Sequence, residues 1–142
     1  MEVQSVLIGG VWQKAEAPLG FFKATNPATR KNLKDNYPVS SFIDIEHALQ
    51  ASLRTAHELR SMTPQTVAGF LDSYADRIER HSDALVQIAS LETALPGEPR
   101  LRSVELPRTT DQLRQAAAAC RDRSWCRATI DAKNNIRSKH GA

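Results

Sequence analysis

The sequence predicts a mainly α-helical chain that opens with a β-hairpin and closes with a β-ribbon. A Gly9-Gly10 pair stands between two short extended segments near the start. The spacing of apolar residues then changes near residue 41 to the helical period of about 3.6. Two short extended segments return at 127–131 and 136–140. We therefore divide the chain into an opening ribbon at 1–40, a helical segment at 41–126 and a closing ribbon at 127–142.

The opening ribbon is predicted from its turns. Gly9-Gly10 suits a tight hairpin because glycine tolerates the positive φ angles that such a turn needs. Residues 26–29, Asn-Pro-Ala-Thr, predict a second turn, since proline fixes φ and asparagine can bond its own backbone. Residues 21–25 precede that turn as an extended segment, and 32–39 follow it. A ribbon this small is marginal alone, so we expect it to pack on another part of the protein.

Two helices are predicted from their starts and their apolar stripes. Ser41 and Asp44 form a weak capping box, with Asp where Glu or Gln is preferred. Thr63-Pro64 is a stronger start, an N-cap followed by proline in the first turn. We expect both stripes to be apolar faces that lack a partner within this chain. The stripes are Ile45, Ala48, Leu49, Ser52, Ala56 and Leu59, and then Val67, Phe70, Leu71, Tyr74, Ala75 and Ile78.

Two further helical patterns follow. One starts near Ser82-Asp83 and is stopped by Pro96-Gly97. The last runs from about residue 99 to 125 and contains Pro107. Proline removes a ladder hydrogen bond and clashes with the preceding turn, so we expect a kink or a break there.

Composition excludes some classes of protein. The 142 residues suit one domain or part of a larger one, with 41% apolar and 25% charged residues. Nothing approaches the roughly 18 consecutive apolar residues of a membrane helix, and no signal peptide is indicated. We expect a cytoplasmic protein without a membrane partner.

The net charge of +3 is concentrated late in the chain. A basic tail can neutralise nucleic-acid phosphates, but here only Trp125 is interleaved with the cations, and Asp122 and Asp131 dilute them. We therefore expect a solvated face or a subunit contact and no nucleic-acid partner. The cations are Arg121, Arg123, Arg127, Lys133, Arg137 and Lys139.

Few residues suggest chemistry. Cys120 and Cys126 lack the further ligands of a zinc site, and they suit either two reduced thiols or, for one of them, a nucleophile. Glu92, between Leu91 and Leu95, invites a general-base role, but one carboxylate without a partner is no catalytic constellation. No glycine-rich phosphate loop is visible. We predict no catalytic, cofactor-binding or metal-ligating residue.

Four segments, taken in order, resemble the opening of the NAD(P)-dependent aldehyde dehydrogenases. The resemblance implies the α/β aldehyde dehydrogenase fold, truncated before its nucleotide-binding core. The segment 123–131 is similar to the NADP-preferring branch that acts on α-ketoglutaric semialdehyde. The four segments are Leu7-Ile8-Gly9-Gly10-Val11-Trp12, Asn26-Pro27-Ala28-Thr29, Leu91-Glu92-Thr93 and Asp111-Gln112-Leu113-Arg114.

The resemblance also implies how the chain would function. The full-length relative uses NAD or NADP, and its catalytic cysteine, general-base glutamate and cofactor loop follow this region, so no cofactor is expected on this chain alone. Arg108 would reach the mouth of the substrate tunnel and bind a distal carboxylate. The alternative is a surface arginine beside Pro107. Ala94 replaces the family's usual glycine, and we expect it to disfavour a positive φ there.

The sequence leaves two hypotheses for the function of the chain. In the first, the chain is the N-terminal fragment of an aldehyde dehydrogenase, inactive alone, whose apolar faces lead to self-association or to pairing with a complementing C-terminal portion. In the second, it is a helical protein-interaction module that complements a separate catalytic fragment.

Overall fold

The computed structural model describes residues 3–123. Six short strands are followed by four α-helices and one π-helical segment. The predicted closing ribbon at 127–142 lies outside the described residues. The strands are β1 Val6–Ile8, β2 Val11–Gln13, β3 Gly20–Phe22, β4 Thr25–Asn26, β5 Lys31–Asn32 and β6 Tyr37–Val39. The helices are α1 Phe42–Leu59, α2 Pro64–Arg80, α3 Ser82–Thr93 and α4 Leu106–Asp122, with the π-helical segment Gly97–Glu105 before α4.

The opening ribbon consists of antiparallel pairs, as the turns predicted. β1 and β2 form a hairpin whose turn has φ of 59° at Gly9 and 84° at Gly10. β4 and β5 form a second hairpin, nested inside the pairing of β3 with β6. Its turn depends on Asn26, whose Oδ1 accepts hydrogen bonds from the backbone N–H of Ala28 at 2.9 Å and Thr29 at 3.2 Å.

The start of α1 joins the helix to the ribbon. Ser41 Oγ caps the helix by accepting from the N–H of Asp44 at 3.4 Å, but the predicted capping box is not completed. Both carboxylate oxygens of Asp44 instead accept from the N–H of Glu16 at 3.1 Å, and Ser41 Oγ donates to the carbonyl of Glu16 at 2.6 Å. The ribbon was expected to pack on another part of the protein, and β1 contacts α1.

Among the described residues, α2 and α4 make the most extensive contact between two helices. They run antiparallel, because Asp72 pairs with Arg121 while Glu79, two turns later, pairs with Arg114. Small residues that are seven positions apart on each helix are buried at the contact, which lets the backbones approach closely. These residues are Ala68 and Ala75 on α2, and Thr110 and Ala117 on α4.

The segment between α3 and α4 differs from the sequence prediction in two ways. Ala94 does adopt a positive φ of 59° and ends α3, with its N–H bonded to the carbonyl of Ser90, so our expectation was wrong. The pattern predicted as one helix from residue 99 is two elements. Glu98 has extended angles and a cis bond to Pro99, and Pro107 lies in the first turn of α4. The chain departs from helical angles at Glu98, whereas Glu105 and Leu106 are both right-handed helical and lead from the π-helical segment into α4. The kink or break expected at Pro107 therefore stays a prediction.

No helix within residues 3–123 is long and apolar enough to cross a membrane.

Candidate functional site

An apolar cavity of about 410 Å³ lies where α2, α3, the π-helical segment and α4 meet. This volume falls in the range of small-molecule pockets, roughly 300–1,000 Å³. Its wall is mostly aliphatic, and three polar side chains, Glu92, Glu105 and Thr109, interrupt it. The apolar lining residues are Tyr74, Ile78, Leu85, Val86, Ile88, Ala89, Leu101 and Leu106.

Two of the three polar side chains form an ion pair or a hydrogen bond within the described residues. Glu105 forms an ion pair with Arg100. Thr109 Oγ1 donates to the backbone carbonyl of Glu105 at 2.8 Å. Glu92, at the end of α3, has no ion pair or hydrogen bond to another side chain among residues 3–123. The cavity therefore offers one uncommitted carboxylate in an apolar setting.

Among residues 3–123, the lining of this cavity contains no cysteine or histidine. A hydrolytic or redox site needs a nucleophile or an acid–base pair within hydrogen-bond reach. Cys120 is a half-buried free thiol on α4 that does not line the cavity, and Cys126 lies outside the described residues. Within residues 3–123 no group of three or more His, Cys, Asp or Glu residues is placed to hold a metal ion.

The cavity is also unsuited to a dinucleotide. A pyrophosphate needs backbone N–H groups or cations around it, whereas the charged side chains that line this cavity are the carboxylates Glu92 and Glu105. Arg100 contacts one of these carboxylates, because it forms an ion pair with Glu105. The turn at Gly9-Gly10 closes a hairpin and does not lead into a helix. The lining of this cavity thus does not fit the pyrophosphate of NAD or NADP.

Arg108 does not line the cavity. It is an exposed residue of α4, directly before the cavity-lining Thr109, and it forms no ion pair within the described part of the chain. Of the two residues that the sequence singled out, Glu92 lines the cavity, and the role expected for Arg108 stays a prediction. Sequence reasoning did not predict Glu105 and Leu101 as site residues. Both reach the cavity through the π-helical segment, which no local sequence pattern predicts.

A second charged cluster lies on the α2–α4 pair, away from the cavity. Arg114 Nη2 lies 2.9 Å from Asp76 Oδ1, and Arg114 also binds both carboxylate oxygens of Glu79. Hydrogen bonds from Arg114, and then from Thr110, lower the pKa of Glu79 from its ordinary value of 4.5. The same contact with Glu79 raises the pKa of Arg114. All three side chains take part in contacts between α2 and α4.

Comparison with known proteins agrees with this fold. The model of the aldehyde dehydrogenase family matches residues 12–140. The NAD-dependent benzaldehyde dehydrogenase from Corynebacterium glutamicum superimposes with a TM-score of 0.73 at 16% identity, over 84% of this chain and 25% of that one. At this identity the structural match shows a shared fold.

A relative from Azospirillum brasilense, alpha-ketoglutaric semialdehyde dehydrogenase 2, is 35% identical over 95 residues. That match covers 67% of this chain and 18% of the relative, so the chain corresponds to a small part of the curated protein. The matches identify an N-terminal portion of an aldehyde dehydrogenase and do not favour a free-standing interaction module. The chain therefore belongs to the aldehyde dehydrogenase family.

Proposed function

We propose that this chain serves as the N-terminal helical portion of an NAD(P)-dependent enzyme that oxidises an aldehyde to a carboxylic acid, and that it is inactive alone. The family match over residues 12–140 carries the proposal.

The role of the chain in such an enzyme is to present an apolar docking surface to the catalytic remainder. Phe70 and Tyr74 stack on each other at the surface of α2, and Ile88 and Leu91 are exposed on α3. Monomeric proteins rarely leave contiguous apolar surface of this kind uncovered. A complementing C-terminal portion, which would carry the cysteine, the glutamate and the cofactor loop, is the partner that we propose for it.

The proposed substrate is an acidic aldehyde of the α-ketoglutaric semialdehyde type, by analogy with the activity named for the Azospirillum relative. The name of the Corynebacterium neighbour supports NAD, and the similarity of 123–131 to the other branch supports NADP. We propose a cytoplasmic enzyme, in keeping with the free thiol of Cys120.

A chimera tests the proposal. The matching region of the Azospirillum enzyme is replaced by the aligned 95 residues of this chain, and aldehyde-dependent reduction of NAD and of NADP is measured separately. We expect activity with α-ketoglutaric semialdehyde above that of the remainder lacking the region. A folded, monodisperse chimera without activity would contradict the proposal.

Arg108 can be tested in the same chimera. If its guanidinium binds the distal carboxylate, Arg108→Gln raises the KM for the acidic aldehyde by about 10-fold or more, because a charge-assisted hydrogen bond is lost. The KM for an uncharged aldehyde stays unchanged. Arg54→Gln, at another exposed arginine, is the matched control. Equal effects of Arg108→Gln on both aldehydes would assign Arg108 to the surface.

A further inference from the structure

The cavity between α2, α3, the π-helical segment and α4 combines an apolar wall with negative charge. Most of its lining residues are aliphatic, and the charged side chains among them, Glu92 and Glu105, are both carboxylates. No lysine, arginine or histidine of the described residues lines it. A ligand that matches both features has an apolar body and carries a positive charge.

The two carboxylates differ in what they already contact. Glu105 forms an ion pair with Arg100, whereas Glu92 forms no ion pair with any of the described residues. Glu92 also lies in the last turn of α3, which has no basic residue there. The carbonyl end of a helix carries partial negative charge, so the end of α3 and the carboxylate of Glu92 attract a cation to the same place.

We propose that this cavity binds a small primary amine with an apolar chain. The ammonium group lies on the carboxylate of Glu92, and the chain lies against the aliphatic wall. An ammonium has three donors and forms charge-assisted hydrogen bonds with a carboxylate. The volume of about 410 Å³ suits an organic molecule of this kind, and the two carboxylates disfavour an anion.

The site overlaps the surface that we propose for docking of the catalytic remainder. Tyr74 and Ile88 belong both to the wall of the cavity and to that surface. A bound amine and the docked remainder would therefore compete, and amine binding is tested on the purified chain without the remainder. Failure of amine binding would leave the proposed function standing, and an inactive chimera would leave amine binding standing.

A titration followed by nuclear magnetic resonance tests the site. The full chain is titrated with butyl-, hexyl- and octylammonium, and separately with the neutral alcohols of the same lengths. We expect affinity to rise about fourfold for each methylene buried in the cavity. Each ammonium ion should bind about threefold tighter than its alcohol, because only the ion pairs with a carboxylate. The amide signals that shift should be those of cavity-lining residues such as Ala89 and Leu101.

Two variants separate the charge of the site from its apolar wall. Glu92→Gln should abolish the preference for hexylammonium over hexanol and leave the affinity for hexanol unchanged. Glu58→Gln, on the exposed end of α1, is its control. Ala89→Leu fills part of the cavity and should weaken both ligands about 10-fold. Ala84→Leu, at an exposed position of the same helix, should weaken neither.

Three results would overturn the proposal. The first is equal affinity of the wild-type chain for hexylammonium and hexanol, since the carboxylate would then contribute nothing. The second is a preference for hexylammonium that Glu92→Gln leaves unchanged, which would place the ammonium on another residue. The third is a set of shifted signals that lies outside the cavity and is insensitive to Ala89→Leu.

Discussion

Arg114 on α4 binds the carboxylate of Glu79 on α2 at two points, from Nη1 to Oε1 at 2.6 Å and from Nη2 to Oε2 at 2.9 Å. The two residues are 35 positions apart in the chain, and their contact links two antiparallel helices. A two-point contact of this kind is more directional than a single ion pair because the planar guanidinium matches the planar carboxylate.

This contact should make stability depend on pH in one direction. The pKa of Glu79 is lowered in the folded state, so its contribution is present above the ordinary value of 4.5 and is lost as the pH falls through the folded pKa. Arg114→Gln should lower the unfolding temperature at neutral pH, and its difference from the wild type should shrink as the pH falls below 4.5 and Glu79 takes up its proton. Arg80→Gln, at an exposed arginine on α2, is the control. A difference that is constant with pH would refute this explanation.

Ala94 is a position where glycine should be better. A residue with a side chain at a φ of 59° is strained relative to glycine, by about 1 kcal/mol. Ala94→Gly should therefore raise the free energy of unfolding by about 0.5–1 kcal/mol in urea denaturation. Ala84→Gly, at an exposed position inside α3, should lower it by a similar amount. Destabilisation by both variants would contradict the left-handed conformation at Ala94.

Asp44 should be far more sensitive to truncation than other acidic residues of α1. It is 2% exposed, and its carboxylate satisfies the N–H of Glu16. Asp44→Ala leaves that donor without its partner and should lower the free energy of unfolding by about 1–3 kcal/mol. Glu58→Ala, on the exposed end of α1, should stay within about 0.5 kcal/mol of the wild type. Equal effects of the two variants in chemical denaturation would count against the Asp44 contact.

The close approach of α2 and α4 requires small residues. Ala75 and Ala117 are completely buried where the helices meet. Ala117→Leu should lower the free energy of unfolding by about 1–3 kcal/mol, because the larger side chain forces the backbones apart. Ala118→Leu, one position later and exposed, gives the same chemical change without the crowding. A stable Ala117→Leu variant would show that the helices are farther apart than described.

Local signals predicted much of this fold. The Gly9-Gly10 hairpin, the Asn26 turn and the N-cap at Thr63 each depend on residues within four positions, and each is present in the structure. The bond between Asp44 and Glu16 spans 28 positions, and no local pattern contains it. Because this bond is not visible in the local sequence, the sequence predicts Asp44 only as part of a capping box.

In the candidate site, too, local signals predicted some residues and missed those that depend on the fold. Glu92 and Arg108 were noted from the sequence, the first for its apolar neighbours and the second from the family resemblance. Glu105 reaches the cavity only because the chain turns at Glu98 and winds as a π-helix before α4. The positive φ of Ala94 was not expected from the local preference of alanine, and it occurs where the N–H of Ala94 bonds to the carbonyl of Ser90 and ends α3.

The rate of aldehyde-dependent reduction of NAD and NADP tests the central claim most directly, measured first on the purified chain and then after adding the remainder of the Azospirillum enzyme that lacks this region. We predict no reduction by the chain alone and measurable reduction after mixing. Reduction by the chain alone, proportional to its concentration and absent from a mock purification, would contradict the claim, because it would place catalytic and cofactor-binding groups within these 142 residues.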